Sequence, residues 1–326
     1  MKVGVIGVGS LGFHHARLLC AIPSVEVSGA YDIRADRLAE VAGALGVPAF
    51  GSADALLDEV DACVIAVPTE AHESIAVEAL DRGVHVLIEK PIAPTLDAAD
   101  RIVAAAERSG AIIQIGHVER FNGALRACEP YLDEPLFVES HRLAPFGPRG
   151  TDVAVVLDLM IHDVDLVLSL MRRPVVSVAA VGVPVLTSSP DIANARLEFA
   201  GGGVANLTAS RVSVERMRKI RFFQRSGYIS LDLAAGTGEY LRLKRGVSLA
   251  PGRPLGGARL DDKGPRATSV ARGEGDGVES ERDPRATHSA WGLDGIIERV
   301  PLRGDGEEPL RCELESFVAA VRGTAA

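Results

Sequence analysis

Lysine is scarce in this chain. Lys2, Lys90, Lys219, Lys244 and Lys263 are all there are among 35 basic residues, so any one of them is hard to dismiss as surface filler. Cysteine is as thin. Cys20, Cys63, Cys128 and Cys312 lie far apart and form no Cys-x-x-Cys pair, which excludes a disulfide framework or a cysteine zinc site and fits thiols in a reducing compartment. No two histidines have His-x-x-x-His spacing, so no metal is expected. A formal net charge of -9 excludes a general attraction to nucleic acid or acidic membranes. No apolar run reaches the ~20 residues that cross a bilayer. The first residues run into a glycine turn with no signal-peptide cleavage site. These absences predict a cytoplasmic protein with no membrane insertion. What remains is 326 residues, 47% hydrophobic and 24% charged, enough for two globular domains at ~100–200 residues each.

Residues 1–118 alternate between two periodicities. Short apolar runs at Lys2–Ile6, Val25–Tyr31, Ala62–Val67, Val84–Ile88 and Ile112–Gly116 read as buried parallel strands. Stretches of helical period lie between them, at Leu11–Ala21, Ala35–Leu45, Glu70–Asp81 and Leu96–Arg108. That alternation predicts an α/β, doubly wound parallel sheet.

The pattern changes over 119–308. A helix is expected at Arg120–Leu132, a strand at Leu136–Ala144 and a long helix at Asp152–Met171. Strand-like runs follow without intervening helices, at Val175–Val183, Ala193–Phe199, Val204–Ser210, Lys219–Gln224 and Tyr228–Leu233. This predicts an α+β domain with a largely antiparallel open sheet. The long helix would cover one face and a second subunit the other, in a homodimer or homotetramer. Residues 251–289 are poor in apolar side chains and read as a mobile or irregular insertion. Helical period returns at Pro309–Arg322, predicting that 309–326 packs back onto the body.

Gly7-Val8-Gly9-Ser10-Leu11-Gly12 fits Gly-x-Gly-x-x-Gly between a strand and a helix, the setting that gives this weak motif meaning. Gly7 allows the tight turn, Gly9 lets backbone approach a pyrophosphate, and Gly12 lets the helix pack closely. The helix N-terminus, from Ser10 and Leu11, offers N–H groups to the phosphates. Together they make this a dinucleotide-binding Rossmann unit. Asp32 closes the second strand twenty residues after Gly12, where a carboxylate meets the ribose hydroxyls and repels a 2′-phosphate. That favours NAD, while Arg34 and Arg37 leave NADP open.

Glu89-Lys90-Pro91 ends the fourth strand at the carboxyl edge that lines the ligand crevice. On the long helix, Asp158 and His162 are four residues apart and so share a face, with Asp165 three further on. A histidine oriented by a carboxylate suits a general base. His117, Arg120 and Asn122 begin the second domain, and Arg142 and Arg149 precede the long helix. Converging arginines suit an anionic substrate group such as a phosphate.

Taken in order, the Gly7–Gly12 turn, Ala66-Val67-Pro68-Thr69 with His72, Glu89-Lys90-Pro91 and the Asp158/His162/Asp165 group resemble the glucose–fructose oxidoreductase / inositol dehydrogenase (Gfo/Idh/MocA) family over nearly the whole chain. The resemblance implies that Lys90, Asp158 and His162 are the catalytic set. It also implies that Pro68, Thr69, His72, Glu89 and Lys90 join Gly7, Gly9, Ser10, Leu11, Gly12 and Asp32 around the cofactor. Arg120, Asn122, Arg142, Arg149 and Asp165 would meet the substrate. The chain departs from the family where glycines are frequent, since Val155, Val156 and Met160 stand there instead. The stretches from Gly116 to Asn122 and from Thr151 to Asp165 resemble a subgroup that oxidises nucleotide sugars, UDP-N-acetylglucosamine 3-dehydrogenases among them. The expected reaction is oxidation of a secondary sugar hydroxyl, with His162 removing the proton and Lys90 stabilising charge on the oxygen. Its rivals are a free-sugar or inositol dehydrogenase, an NAD-assisted glycosidase and a cofactor-binding regulator without turnover.

Overall fold

The computed structural model describes residues 1–147, 153–244 and 295–324. Its first sheet has strands β1 (Lys2–Ile6), β2 (Glu26–Tyr31), β3 (Ala62–Ile65), β4 (His85–Glu89) and β5 (Ile113–Gly116), in the order β2-β1-β3-β4-β5, all parallel. Its helices are α1 (Ser10–Leu19), α2 (Ala35–Leu45), α3 (Ala53–Leu57), α4 (His72–Asp81) and α5 (Leu96–Ser109). Successive strand residues feed opposite layers. Cys63, Ile65, Val86 and Ile88 pack under α3, α4 and α5. Ala62, Val64 and Leu87 pack under α1 and α2, together with Leu314 and Phe317 of the final helix, α8 (Pro309–Val321). The central strands β1 and β3 therefore read as nearly continuous apolar runs, as burial on both faces requires, while the outer β2 and β5 carry polar residues.

The expected helix over Arg120–Leu132 is broken into a 3₁₀ turn at Val118–Phe121, α6 (Gly123–Cys128) and a second 3₁₀ turn at Glu129–Tyr131. Asn122 breaks it, because its side chain caps α6 by accepting from the Ala124 N–H at 3.1 Å. The long helix is also divided: Val156–Met160 is a single π-helical turn that leads into α7 (Ile161–Met171). Arg149, residues 251–289 and the expected start of the long helix at Asp152 lie outside the described residues.

The second sheet has eight strands: β6 (Phe137–Leu143), β7 (Val175–Val183), β8 (Ile192–Phe199), β9 (Val204–Ser210), β10 (Met217–Gln224), β11 (Gly227–Asp232), β12 (Thr237–Leu243) and β13 (Ile297–Arg303). They run in the order β13-β12-β11-β10-β6-β9-β8-β7. The sheet is mostly antiparallel, but β6 and β9 pair in parallel. Alternate residues such as Leu197, Leu207, Ile220 and Leu231 are buried, and α7 packs against β6 and β9. Asn194, Arg196 and Glu198 on the opposite face of β8 are exposed. By internal contacts Met1–Tyr240 with Pro301–Ala326 forms one compact unit, so the main part of both sheets belongs to a single body. Leu241–Val300 forms the other. No helix among the described residues is long and apolar enough to cross a membrane.

Candidate active site

The five parallel strands end at one edge, and the sequence motifs sit on the carboxyl ends of β1 to β4. Gly7 adopts φ +86°, and its N–H donates to the Tyr31 carbonyl at 2.8 Å. A Cβ at Gly12 would stand 1.8 Å from the Gly7 carbonyl oxygen, so only glycine lets α1 start this close to β1. Above Gly9 the space is open, the nearest atom to an added Cβ being the Arg34 guanidinium at 3.7 Å. Ser10 and Leu11 open α1 beside it. Asp32 accepts from the Val8 N–H at 2.9 Å and from the Arg34 N–H at 2.9 Å, which ties the end of β2 to the glycine turn. Arg37 donates to the carbonyls of Val8 and Gly9 at 2.9 and 3.4 Å. A turn held open over glycine, a helix N-terminus of ten residues and a carboxylate at the end of β2 together fit a dinucleotide.

On the next two strands, Pro68 and Thr69 begin a 3₁₀ turn after β3, and His72 opens α4. His72 is buried, with one ring nitrogen 3.0 Å from the Pro91 carbonyl and the other 3.0 Å from the Val67 carbonyl. It staples together the loops after β3 and β4. The Lys90–Pro91 peptide bond is cis.

Lys90 reaches across to the π-helical turn. Its Nζ donates to the Asp158 carbonyl at 2.8 Å and lies 3.8 Å from Asp158 Oδ1. The sequence spacing led us to expect Asp158 on His162, yet no hydrogen bond joins those two side chains. Asp158 is turned toward Lys90 instead. His162 Nδ1 is enclosed without a hydrogen-bond partner. Burial first, then the charges of Lys90 and Arg142, push the His162 imidazole down to about 2, so it is held neutral. His117 stands nearby with Nδ1 3.7 Å from Asp165 Oδ2, and burial holds it below the usual histidine range.

The expected arginine cluster separates into different roles. Arg142 is buried, and its guanidinium donates to both oxygens of Asp163 at 3.0 Å and to Glu119 at 2.8 Å. This corrects Arg142 as a substrate ligand: it is a core ion cluster, because a buried guanidinium needs its donors filled. Asn122 is likewise buried, donating to Glu119 and the Leu233 carbonyl while capping α6, and is not offered to a ligand. Arg120 and Asp165 are brought together as a two-bond pair at 2.7 and 2.5 Å, with Asp165 largely covered. Alongside runs a cleft of ≈ 490 Å³, apolar from Pro91 to Ile161 with His117 and Asp165 in its wall.

Arg218 on β10 escaped the sequence reading. It pairs in register with Arg142, its charge reaches His162, and its side chain is 45% exposed with Glu119 no nearer than 3.6 Å. Only its position opposite Arg142 reveals it, since Met217–Gln224 otherwise reads as an ordinary strand. His15 and Glu313 were missed too. The first looked like a helix residue without a role, and the second lies in a stretch read only for its apolar period.

Comparison with known proteins agrees with this geometry. The description "Oxidoreductase family, NAD-binding Rossmann fold" (Gfo/Idh/MocA) matches residues 1–117, and the family's C-terminal domain matches residues 113–230. UDP-N-acetylglucosamine 3-dehydrogenase of Acidithiobacillus ferrooxidans is 42% identical over 78% of this chain and 80% of its own length. The chain belongs to the Gfo/Idh/MocA oxidoreductase family. It is an NAD(P)-dependent oxidoreductase acting on CH–OH groups, and its first 117 residues are the NAD-binding fold. A solved structure of the Acidithiobacillus ferrooxidans enzyme superposes with a TM-score of 0.80, 34% identity, and coverage of 100% of this chain and 90% of that one. An inositol 2-dehydrogenase of Saccharopolyspora erythraea is 34% identical over 55% of this chain and 56% of its own length.

Proposed function

We propose that this protein oxidises a secondary hydroxyl of a nucleotide sugar, such as UDP-N-acetylglucosamine, to a ketone, with Lys90 and His162 at the reacting carbon. The observation that carries this is the pairing of a lysine tethered to the Asp158 carbonyl with a neutral histidine one turn on. The similarity to the Acidithiobacillus ferrooxidans enzyme supports the choice of sugar. NAD, when bound, supplies the hydride acceptor. The enclosed Nδ1 of His162 leaves Nε2 as the nitrogen that takes the hydroxyl proton. Lys90 donates a hydrogen bond to the same oxygen and stabilises negative charge as it develops. Asp158 holds the ammonium in place rather than the imidazole. Arg218, not Arg142, meets the anionic part of the substrate; Arg120 and Asp165 line its approach.

Residues 1–118 carry the cofactor and 119–308 the substrate, with the last helix closing onto the first sheet. Asp32 favours NAD, and Arg34 beside it is the residue that would admit NADP. The four cysteines are free thiols, in keeping with the cytoplasm. The edge strand β7 leaves Val176, Val178 and Val181 more than half exposed, which supports a homodimer or homotetramer built on this sheet. Light scattering that gives a monomer would contradict that assembly. The reaction itself is tested by mixing the protein with NAD and a panel of sugars, inositols and UDP-sugars. NADH should appear fastest with UDP-N-acetylglucosamine; faster turnover of free sugar or inositol overturns the nucleotide-sugar reading.

A further inference from the structure

We propose that Glu313 is a positioning residue for Lys90, a carboxyl delivered by the last helix that acts on the lysine through Glu89. Glu313 lies on α8 and is wholly buried, and neither of its carboxyl oxygens has a hydrogen-bond partner. The charged group facing it is Glu89, at the end of β4. Glu89 divides its own oxygens. Oε1 stands 2.7 Å from Nε2 of His15 on α1, and Oε2 accepts from the Lys90 N–H at 3.2 Å. His15 is also wholly buried, and its Nδ1 has no partner. Glu89 of β4 thus touches His15 of α1 and the Lys90 backbone and acts by its charge on Glu313 of α8, and His15 and Glu313 have unused polar atoms.

Among the described residues, no cation pairs with Glu313. On β5, Gln114 is uncharged and donates to the Glu313 backbone carbonyl at 3.3 Å. In the 3₁₀ turn against α8, Glu119 is taken by Arg142 and Arg120 by Asp165. Arg17 of α1 pairs with Glu308 at the start of α8. A buried carboxyl without a partner is stable only when neutral, and a second negative charge beside Glu89 is doubly costly. Burial first, then the Glu89 charge, push Glu313 up to about 8. Once ionised, Glu313 repels Glu89, whose hydrogen-bond partners among the described residues are His15 and the Lys90 backbone. The displacement therefore passes to Lys90. The inference rests on the reading of Lys90 as a group at the reacting carbon.

The experiment follows two signals in the full-length protein. The first needs no substrate: the Lys90 backbone amide resonance is recorded across about pH 6 to 10 in the wild type and in E313Q, together with ¹³C-labelled glutamate carboxyls. A glutamate carboxyl should titrate near 8, the Lys90 amide should shift with the same midpoint, and both changes should vanish in E313Q. The second is kcat with a sugar or nucleotide-sugar substrate, expected to fall about tenfold from about pH 7 to 9 in the wild type and by less than about twofold in E313Q. A Lys90 amide that does not titrate, no glutamate midpoint above about 6, or identical alkaline limbs in the two proteins would overturn the proposal. The wild-type titration decides even if E313Q does not fold. It also separates failure here from a wrong choice of substrate, which would leave the resonances unchanged.

Discussion

At the scale of single residues, two arginines that look alike in the sequence should behave oppositely. Arg142 is surrounded by Asp163 and Glu119 in the core, so R142A strands two buried carboxylates and should cost ~3–5 kcal/mol of stability in urea unfolding. Arg218 is half open, so R218A should change stability by less than ~0.5 kcal/mol while raising KM for a UDP-sugar and leaving that for a free sugar unmoved. Equal stability losses, or a KM effect independent of the phosphates, would refute this division. His162 gives a different kind of expectation. H162A should slow turnover by a factor of ~100–10,000 with NAD binding unchanged, measured by steady-state kinetics and cofactor fluorescence. In the folded state its value lies near 2, below the ordinary 6.5, so it stays in the proton-accepting form across mildly acid conditions. No acid limb in kcat/KM should therefore arise from His162 between about pH 5 and 7. Linkage has the matching sign. The unfolded chain binds a proton below 6.5 and the folded chain does not, so the stability that goes with this neutral burial is present above 6.5 and lost as pH falls.

Elements show where local pattern suffices and where it fails. The parallel strands were legible because the central ones are buried on both faces, which makes Ala62–Ile65 an unbroken apolar run, and because all of them alternate with helical stretches. Lys90 and the glycine turn were legible for a related reason, since strand ends fix where they must lie. The π-turn at Val156–Met160 was not, because a helical period cannot register one extra residue per revolution. Asp158 sits on that turn and meets Lys90. The helix over Arg120–Leu132 failed at Asn122, a capping residue read there as a ligand. Strands β12 and β13 were missed because Thr237–Leu243 and Ile297–Arg303 mix charges with apolar residues. The final helix was found by its period, but what it brings with it was not. Phe317 sits fully buried in the first sheet's core, and F317A should cost ~3–5 kcal/mol in chemical denaturation. A loss below ~1 kcal/mol would mean α8 is a dispensable appendage, within the range of surface changes.

For the molecule as a whole, the sequence placed the cofactor more firmly than the substrate. Cofactor binding is assembled from backbone geometry at consecutive strand ends, which a short motif encodes. The proposed substrate region draws single side chains from a 3₁₀ turn, a π-turn and the second sheet, and only the folded chain decides which of them are already paired. The account's central claim is that this assembled site oxidises an intact nucleotide sugar. Its most direct test is to incubate the enzyme with NAD and UDP-N-acetylglucosamine, measure NADH and weigh the sugar product by mass spectrometry. NADH should appear in step with a product two hydrogens lighter, a ketone with its UDP still attached. Release of UDP without net NADH would instead indicate cofactor-assisted cleavage, and would contradict it.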